Sequence, residues 1–475
     1  MAVSTLRDSL ATIVGRENIT DKIEPPDSCT DAYLFGGERH KPSLVVWPAT
    51  VEEVASVVKL ANRERIPLVP WGGGSDLYAG GIVAHEDSLI VSMQRMNRVL
   101  NIDMDFQTAK VQAGITVHEL NQQLAKRRLW WPHDPESRAH ATVGGSLSTN
   151  AVGTYFAKFG PAGDTVRALK VVLPSGDIVE VGGNVKQSQV GYNLVALFTG
   201  AEGTLGLIVE ATLKLEPLPE HRVYAIAKFS NIDRAILACN RIITSGLAPE
   251  TLIVEDSTRF YSTISADTPD FDLRVKSLVS GSEVVVIVSF SGSSQDIEFS
   301  LDRSKMMVST EKGVLIEQDV ADAWWYGKTK RITLMSAAQR KELGTKRYGI
   351  VDFCLQRAAL STVYEQLIDL YAKYALLAQG VRFYFRQNGD APATVVVLFD
   401  ESSEEQKSNY RAWIKESSQL VLQYGGTMSA VTATGLKLAG LVEYELKDGL
   451  SLVRTIKRTL DPNNIMNPGK KFPLT

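Results

Sequence analysis

Three short loops rich in glycine and hydroxyl residues carry the most legible chemistry in this chain: VPWGGGSDLYAGG at 69–81, ATVGGSLSTNAVG at 141–153 and TGAEGTLGLIVEA at 199–211. Adjacent glycines let backbone N–H groups approach a phosphate closely, and Ser75, Thr142, Ser148 and Thr204 add neutral hydrogen bonds to phosphate or ribose. One such loop is an ordinary tight turn. Three of them in the first half of one chain point to a single extended dinucleotide held at several places. Glu202, in the third loop, has two readings: it orders the loop by capping N–H groups, or it touches the nucleotide.

The other residues with chemistry to offer are unevenly spread. All six histidines, His40, His85, His118, His133, His140 and His221, lie before residue 222, so a histidine base or a histidine-held metal cannot come from the second half. Cys29, Cys239 and Cys354 are isolated, which excludes a disulfide framework or an iron–sulfur cluster built from this chain alone. The segment RFYFR alternates as a strand, with Arg382, Tyr384 and Arg386 on one face and Phe383 and Phe385 on the other. Lining a pocket, that face is a carboxylate or phosphate clamp; facing water, it is a solvated strand. Trp324, Trp325 and Tyr326 likewise either stack on a substrate or pack a core.

These residues need elements to hold them. At 475 residues, two domains are expected, and 44% hydrophobic with 22% charged residues is an ordinary globular composition. A net charge of −3 without long runs of like charge gives nucleic acid no electrostatic footing. The N-terminus lacks the apolar run of a signal peptide, and no 18 apolar residues are contiguous, so a cytoplasmic protein is expected, with peripheral docking at the inner membrane face as the variant.

Capping-box spacings at Thr50/Glu53 and Thr116/Glu119 open helices whose apolar faces hold Val51, Val54, Val57, Val58 and Ala61, and Val117, Leu120 and Leu124. Strands LVVW, IPLV, SLIVSM and KVQAGI alternate with them. The first glycine loop leads from one strand to another, not into a helix, which rejects a Rossmann fingerprint, and no GxxxxGK[ST] loop exists. LKVVLPSGDIVEVGG reads as a hairpin, and Pro217 to Pro219 as a boundary. Beyond it, strands are expected near 222–229, 284–290, 381–386 and 394–399, and helices near 231–245, 358–377 and 403–424, the last opening on the solvated stretch ESSEEQKSNY.

In order and spacing, PATVEEV, the triple-glycine loop, ATVGG, GYNLVALFTGAEGTLGLI and LDPNNIMNPGK resemble the FAD-linked oxidoreductases of the vanillyl-alcohol-oxidase and p-cresol-methylhydroxylase type, and within them the glycolate oxidase and D-lactate dehydrogenase branch. The resemblance spans nearly the whole chain. It implies an α+β fold: an FAD-binding domain over 1–218, a substrate-binding α/β cap with an antiparallel sheet backed by helices over 219–440, and a segment 441–475 returning to the first domain. It implies FAD pyrophosphate on the backbone of Gly72 to Ser75 and of Thr142 to Gly145, with Gly203 to Ile208 toward the adenosine. The cofactor positions it implies are Pro70, Trp71, Gly72, Gly73, Gly74, Ser75, Asp76, Pro135, Ser137, Thr142, Val143, Gly144, Gly145, Ser148, Thr149, Gly153, Glu202, Gly203, Gly206, Ile208 and Asn467.

Relatives that bind FAD covalently use a histidine where Ser75 stands, so non-covalent FAD is expected. His140 occupies a flavin-linking cysteine's place, and is expected beside the isoalloxazine ring, as a catalyst or as a hydrogen-bonded structural group. The branch's histidine-rich metal segments are replaced here by RFYFRQNGDAPATVVVLF and GGTMSAVTATGLK, with Val431 and Thr432 where Glu and His would stand; no metal is expected, and Gly389-Asp390 reads as a turn.

The resemblance then implies oxidation of a CH–OH group, in a small and anionic 2-hydroxy acid, by hydride transfer to flavin. The base is left to His140, His133, Tyr326, Tyr384 or a lysine, and the anion to Arg331, Arg382 or Arg386, with Lys328 at the arginine position of a W-x-x-R element. An external acceptor, whether carrier protein, quinone or oxygen, takes the electrons, and a homodimer or larger complex is compatible. The competing readings are a flavin-dependent transferase resembling alkyl-dihydroxyacetone-phosphate synthase, and a non-catalytic flavin-binding subunit.

Overall fold

The computed structural model describes residues 3–21, 40–264, 269–328 and 343–474. Cys29 and Arg331 lie outside the described residues. The first part of the chain builds two main sheets and a two-stranded one that pairs Leu129–Trp130 with Glu216–Pro217. In one main sheet, Leu44–Val46, Leu89–Ser92 and Leu68–Trp71 run parallel, with Ile19–Thr20 antiparallel at the edge. The other is antiparallel, in the order Val99–Asp103, Thr108–Gln112, Leu207–Lys214, Val166–Val172 and Ile178–Gly182.

The helix Val51–Glu64 forms where the valine spacing places it. Thr50 accepts from the Glu53 N–H, and Val54, Val57, Val58 and Ala61 are buried against the parallel strands. Each such valine contributes about 1.5–3 kcal/mol by leaving water. The helix Val117–Ala125 opens on the complete capping box of Thr116 and Glu119. Both sheets are needed to fix the glycine loops, because the first loop leaves Leu68–Trp71 and the third enters Leu207–Lys214.

The second part is one seven-stranded antiparallel sheet, in the order Val314–Leu315, His221–Phe229, Val284–Gly292, Thr251–Asp256, Leu377–Tyr384, Asp390–Asp400 and Lys346–Gln356. Helices Ile232–Thr244, Leu360–Lys373 and Glu404–Gln423 pack their apolar faces into its main core. The strand expected at 381–386 is shifted: helix Leu360–Lys373 stops early at Ala375, which takes φ +49°, and the chain enters the sheet at Leu377 and leaves it at Tyr384. Arg386 therefore lies past the strand and does not share its face. Strands Thr251–Asp256 and Lys346–Gln356 have no counterpart among the sequence expectations.

The chain then returns to its beginning. Leu68 donates its N–H to the Ile465 carbonyl and accepts from the Asn467 N–H, so residues 465–467 extend the parallel sheet. Lys457, buried in helix Gly449–Leu460, donates to the carbonyls of Thr204 and Met466 and pairs with Asp461, tying that return to the third glycine loop. No helix among the described residues is long and apolar enough to cross a membrane.

Candidate active site

The three loops interlock through their glycines. A Cβ on Gly72 would stand 2.4 Å from Thr142 Oγ1, one on Gly73 would stand 1.7 Å from the His140 carbonyl oxygen, and one on Gly203 would stand 2.4 Å from Pro70 Cγ. Gly203 also takes φ +70°, where any side chain is strained. The first loop is thus clamped between the other two, and Asp76 braces it from within by accepting from the N–H groups of Tyr78 and Gly80.

Glu202 plays the ordering role, but for another segment than its own loop. Its carboxylate accepts from Thr434 N at 2.9 Å and Gly435 N at 2.7 Å, and Lys471 lies 3.4 Å away. Asn467 completes the seam by donating Nδ2 to the carbonyls of Gly80 and Glu202, at 3.1 and 2.7 Å.

Above the loops lies a cavity of about 830 Å³, floored by them and roofed by the seven-stranded sheet. Every expected cofactor position lines it except Val143, whose side chain is fully buried in the core beneath. The donors are distributed differently from the expectation. In the second loop the N–H groups of Val143 and Gly144 already donate to the carbonyls of Ile115 and Ala113, and Gly145 donates to Thr142 Oγ1, which caps helix Val143–Thr149. In the first loop the N–H groups of Gly73 and Ser75 have no backbone partner among the described residues. Among these backbone groups, the unpartnered N–H donors are in the first loop, while those of Val143, Gly144 and Gly145 in the second are already engaged.

Ser146 and Asn467 line the cavity, and Ser146 Oγ and Asn467 Oδ1 are buried without a partner within the protein. A cradle of close-packed glycine loops with free N–H groups and orphaned side-chain oxygens fits FAD.

On the sheet side, the residues expected to act divide sharply. Tyr384 lines the cavity. Its hydroxyl accepts from Arg382 Nη1 at 3.3 Å, and burial pushes its pKa up despite the opposing guanidinium, so it is a neutral phenol at physiological pH. Arg382 is neither a free clamp nor solvated. It is 2% exposed and held between Glu255, at 2.5 Å, and Glu136, so its charge is already matched.

Arg386, beyond the strand, pairs with Asp164 at 2.7 Å and does not reach the cavity. Lys328 is buried against the Trp325 ring, 3.7 Å from Asp134, and burial lowers its pKa; it too faces away. His140, expected beside the flavin, presents its carbonyl to Gly73 and is not among the residues lining the cavity. His133 is sealed against Trp131, its pKa lowered by burial to about 4, and Tyr326 is 67% exposed on the surface. Trp324 and Trp325 belong to a core cluster, with Trp324 Nε1 donating to Glu255 at 2.8 Å.

The positions where the resemblance would place metal ligands are otherwise engaged. Val431 and Thr432 donate their N–H groups to the buried Asp352 carboxylate, at 3.3 and 3.0 Å. Gly389, at φ +96°, lies in the turn between two strands, and Asp390 opens the second of them. Among the described residues no three His, Cys, Asp or Glu side chains are arranged to hold a metal.

Sequence reasoning missed the two charged groups that do face the cavity beside Tyr384, namely Glu136 and Arg259. Arg259 sits in helix Ser257–Thr263, which Asp256 caps by accepting from the Arg259 N–H at 2.8 Å while its other oxygen accepts from Val381 N at 2.9 Å. Gly380 makes room for that helix start; a Cβ there would stand 2.3 Å from Arg259 N. The guanidinium reaches Glu136 at 3.5 Å, and its Nε is buried without a partner. Glu136 is held in the ionised form, its pKa lowered by Arg382 and Arg259 against the opposing effect of burial. The Asp-Ser-Thr-Arg run was the available signal for the cap, but seven residues of helix leave little periodicity to read.

Comparison with known proteins agrees with this arrangement. The family profile described as "FAD binding domain" matches residues 42–182, and that described as "FAD linked oxidases, C-terminal domain" matches 218–471. The glycolate oxidase subunit GlcD of Bacillus subtilis is 26% identical, over 99% of this chain and 97% of its own. A D-lactate dehydrogenase of Anaerostipes hadrus is 28% identical over 95% and 94%. Among solved structures, p-cresol methylhydroxylase superposes with a TM-score of 0.76 at 18% identity, covering 98% of this chain and 96% of that one, a likeness of fold. An interlocked glycine cradle under an antiparallel cap defines a dinucleotide-dependent enzyme. The chain belongs to the FAD-linked oxidases, and is an FAD-dependent oxidoreductase.

Proposed function

We propose that this protein oxidises the CH–OH group of an anionic 2-hydroxy acid, with FAD held non-covalently and without a metal. The observation that carries the reading is the convergence on the cavity wall of Arg259, whose buried Nε has no partner within the protein, with the ionised Glu136 and the phenol of Tyr384. Bound FAD supplies the two-electron acceptor for the hydrogen on the carbinol carbon. Arg259 anchors the substrate carboxylate through a charge-assisted hydrogen bond. Tyr384 orients the hydroxyl, and Glu136 takes its proton as the carbonyl forms, with Arg382 holding both groups in place. Ser75, in the loop position where covalent relatives carry histidine, offers no ring nitrogen for a flavin bond.

The relatives named as a glycolate oxidase subunit and as D-lactate dehydrogenases support the substrate class. The electrons leave to an external acceptor. The division proposed with this reading is a cofactor domain over 1–218, a cap over 219–440 and a returning segment over 441–475; the largely distinct cores beneath the two sheet systems support it, with Tyr78 and the Trp130, Tyr155 and Phe156 cluster packing across the boundary.

Single-turnover oxidation of a 2-hydroxy acid deuterated at C2, with a strong chelator present, tests the scheme. A primary isotope effect and a rate indifferent to the chelator are expected. A rate abolished by the chelator and restored by a divalent cation would overturn the metal-free step.

A further inference from the structure

The roof of the cavity changes polarity along its length in a way that a two- or three-carbon acid would not use. Cross-strand pairs set the order. Arg382 pairs with Thr394, then Gly380 with Val396 and Ile350 with Val396, then Tyr348 with Leu398, and finally Lys346 with Asp400. Thr394, Val396 and Leu398, with Ile350, Tyr348 and Lys346 opposite, all line the cavity, while the intervening Val395 and Val397 point into the core behind. Successive rows are two residues apart, so the distance from the Thr394 row to the Leu398 row is about 13–14 Å.

The end nearest Glu136, Arg259 and Tyr384 is polar and includes Thr394 Oγ1, buried without a partner. The middle is aliphatic, and the far end opens at an exposed lysine.

We infer that the substrate is amphiphilic, a hydroxy acid whose carboxylate and reacting carbon sit at the Arg259 and Tyr384 end and whose apolar body runs along Ile350, Val396 and Leu398. The inference rests on the proposed reading of Arg259 as the anion anchor. It extends that reading from a small acid to one with a chain or ring beyond C2. Burying each methylene in this groove contributes about 0.8 kcal/mol, or three- to fourfold in affinity.

Binding and turnover test it separately. Straight-chain carboxylates of three to eight carbons, lacking the hydroxyl, are titrated into the oxidised holoenzyme and followed by calorimetry and by the perturbation of the flavin band. The dissociation constant is expected to fall about threefold per added carbon, and Val396→Thr, a change of polarity at nearly constant shape, to flatten that slope. A dissociation constant that is level or rises with length, or no binding at any length, overturns the inference; a level series is the result expected if the aliphatic rows cover the flavin ring itself.

The same lengths are then run as 2-hydroxy acids under anaerobic conditions. Flavin bleaching by the short acids with a level binding series would leave the proposed reaction standing and remove the amphiphilic substrate. A steep binding series with no bleaching would do the reverse.

Discussion

Replacing Arg259 by glutamine isolates the anion anchor from the fold. The backbone N–H of residue 259, which Asp256 caps, is retained, and Glu136 keeps its pairing with Arg382, so the helix start and the neighbouring carboxylate stay in place. What is lost is the guanidinium, whose Nε has no partner in the protein and whose nearest carboxylate contact is a long 3.5 Å. A hydrogen bond between charged groups is worth about 1.5–3 kcal/mol, which converts to about a 10- to 150-fold fall in kcat/KM for an anionic substrate.

Anaerobic stopped-flow reduction of the flavin separates the terms. The apparent Kd for the hydroxy acid should rise by that factor, the limiting rate should change far less, and the FAD content should match the parent. Lysine at the same position should recover part of the loss, because it restores charge without the planar fork. Unchanged binding of anionic substrates, or an equal loss for uncharged alcohols, would refute the assignment.

Other outcomes follow from the same geometry. Gly73→Ala forces a Cβ onto the His140 carbonyl and should yield a protein with at least tenfold weaker FAD retention, seen in its absorbance ratio, whereas Gly183→Ala, with open space around it, should keep its flavin. Glu136→Gln should lower the rate of flavin reduction at least a hundredfold, and the acid limb of the parent enzyme should lie below the usual carboxylate range because the arginines lower the Glu136 pKa. Acid precipitation should release FAD into the supernatant; yellow colour remaining with the precipitate would contradict non-covalent binding.

His133, neutral and buried with its pKa lowered to about 4, binds fewer protons when folded than unfolded between that pH and about 6.5. Stability should therefore fall on acidification through this window, by on the order of 3 kcal/mol from this group. His133→Phe should remove that part of the slope in denaturant titrations at several pH values.

The glycine cradle was legible because its determinants are local. Gly72, Gly73, Thr142 and Gly203 act through their own backbone freedom and short side chains, and the capping residues Thr50 and Thr116 act three residues ahead. The charges of the site were not legible in this way. Arg382 is neutralised by Glu255 and Glu136, at 127 and 246 positions' separation, and no local pattern announces such partners. The alternation in RFYFR was correct as far as Tyr384, but the strand begins at Leu377, so Arg386 falls outside it and meets Asp164 instead. Arg259 escaped notice because its helix is too short to show a period, and because Gly380, which makes its position sterically accessible, lies on a distant strand.

The most direct test of the account is the visible spectrum of the holoenzyme, held free of oxygen, before and after adding a panel of D-2-hydroxy acids graded in length and apolar character. The yellow flavin band is expected to bleach with anionic members of the panel. A bound flavin that stays oxidised with every member, or that bleaches equally with neutral alcohols, would contradict it.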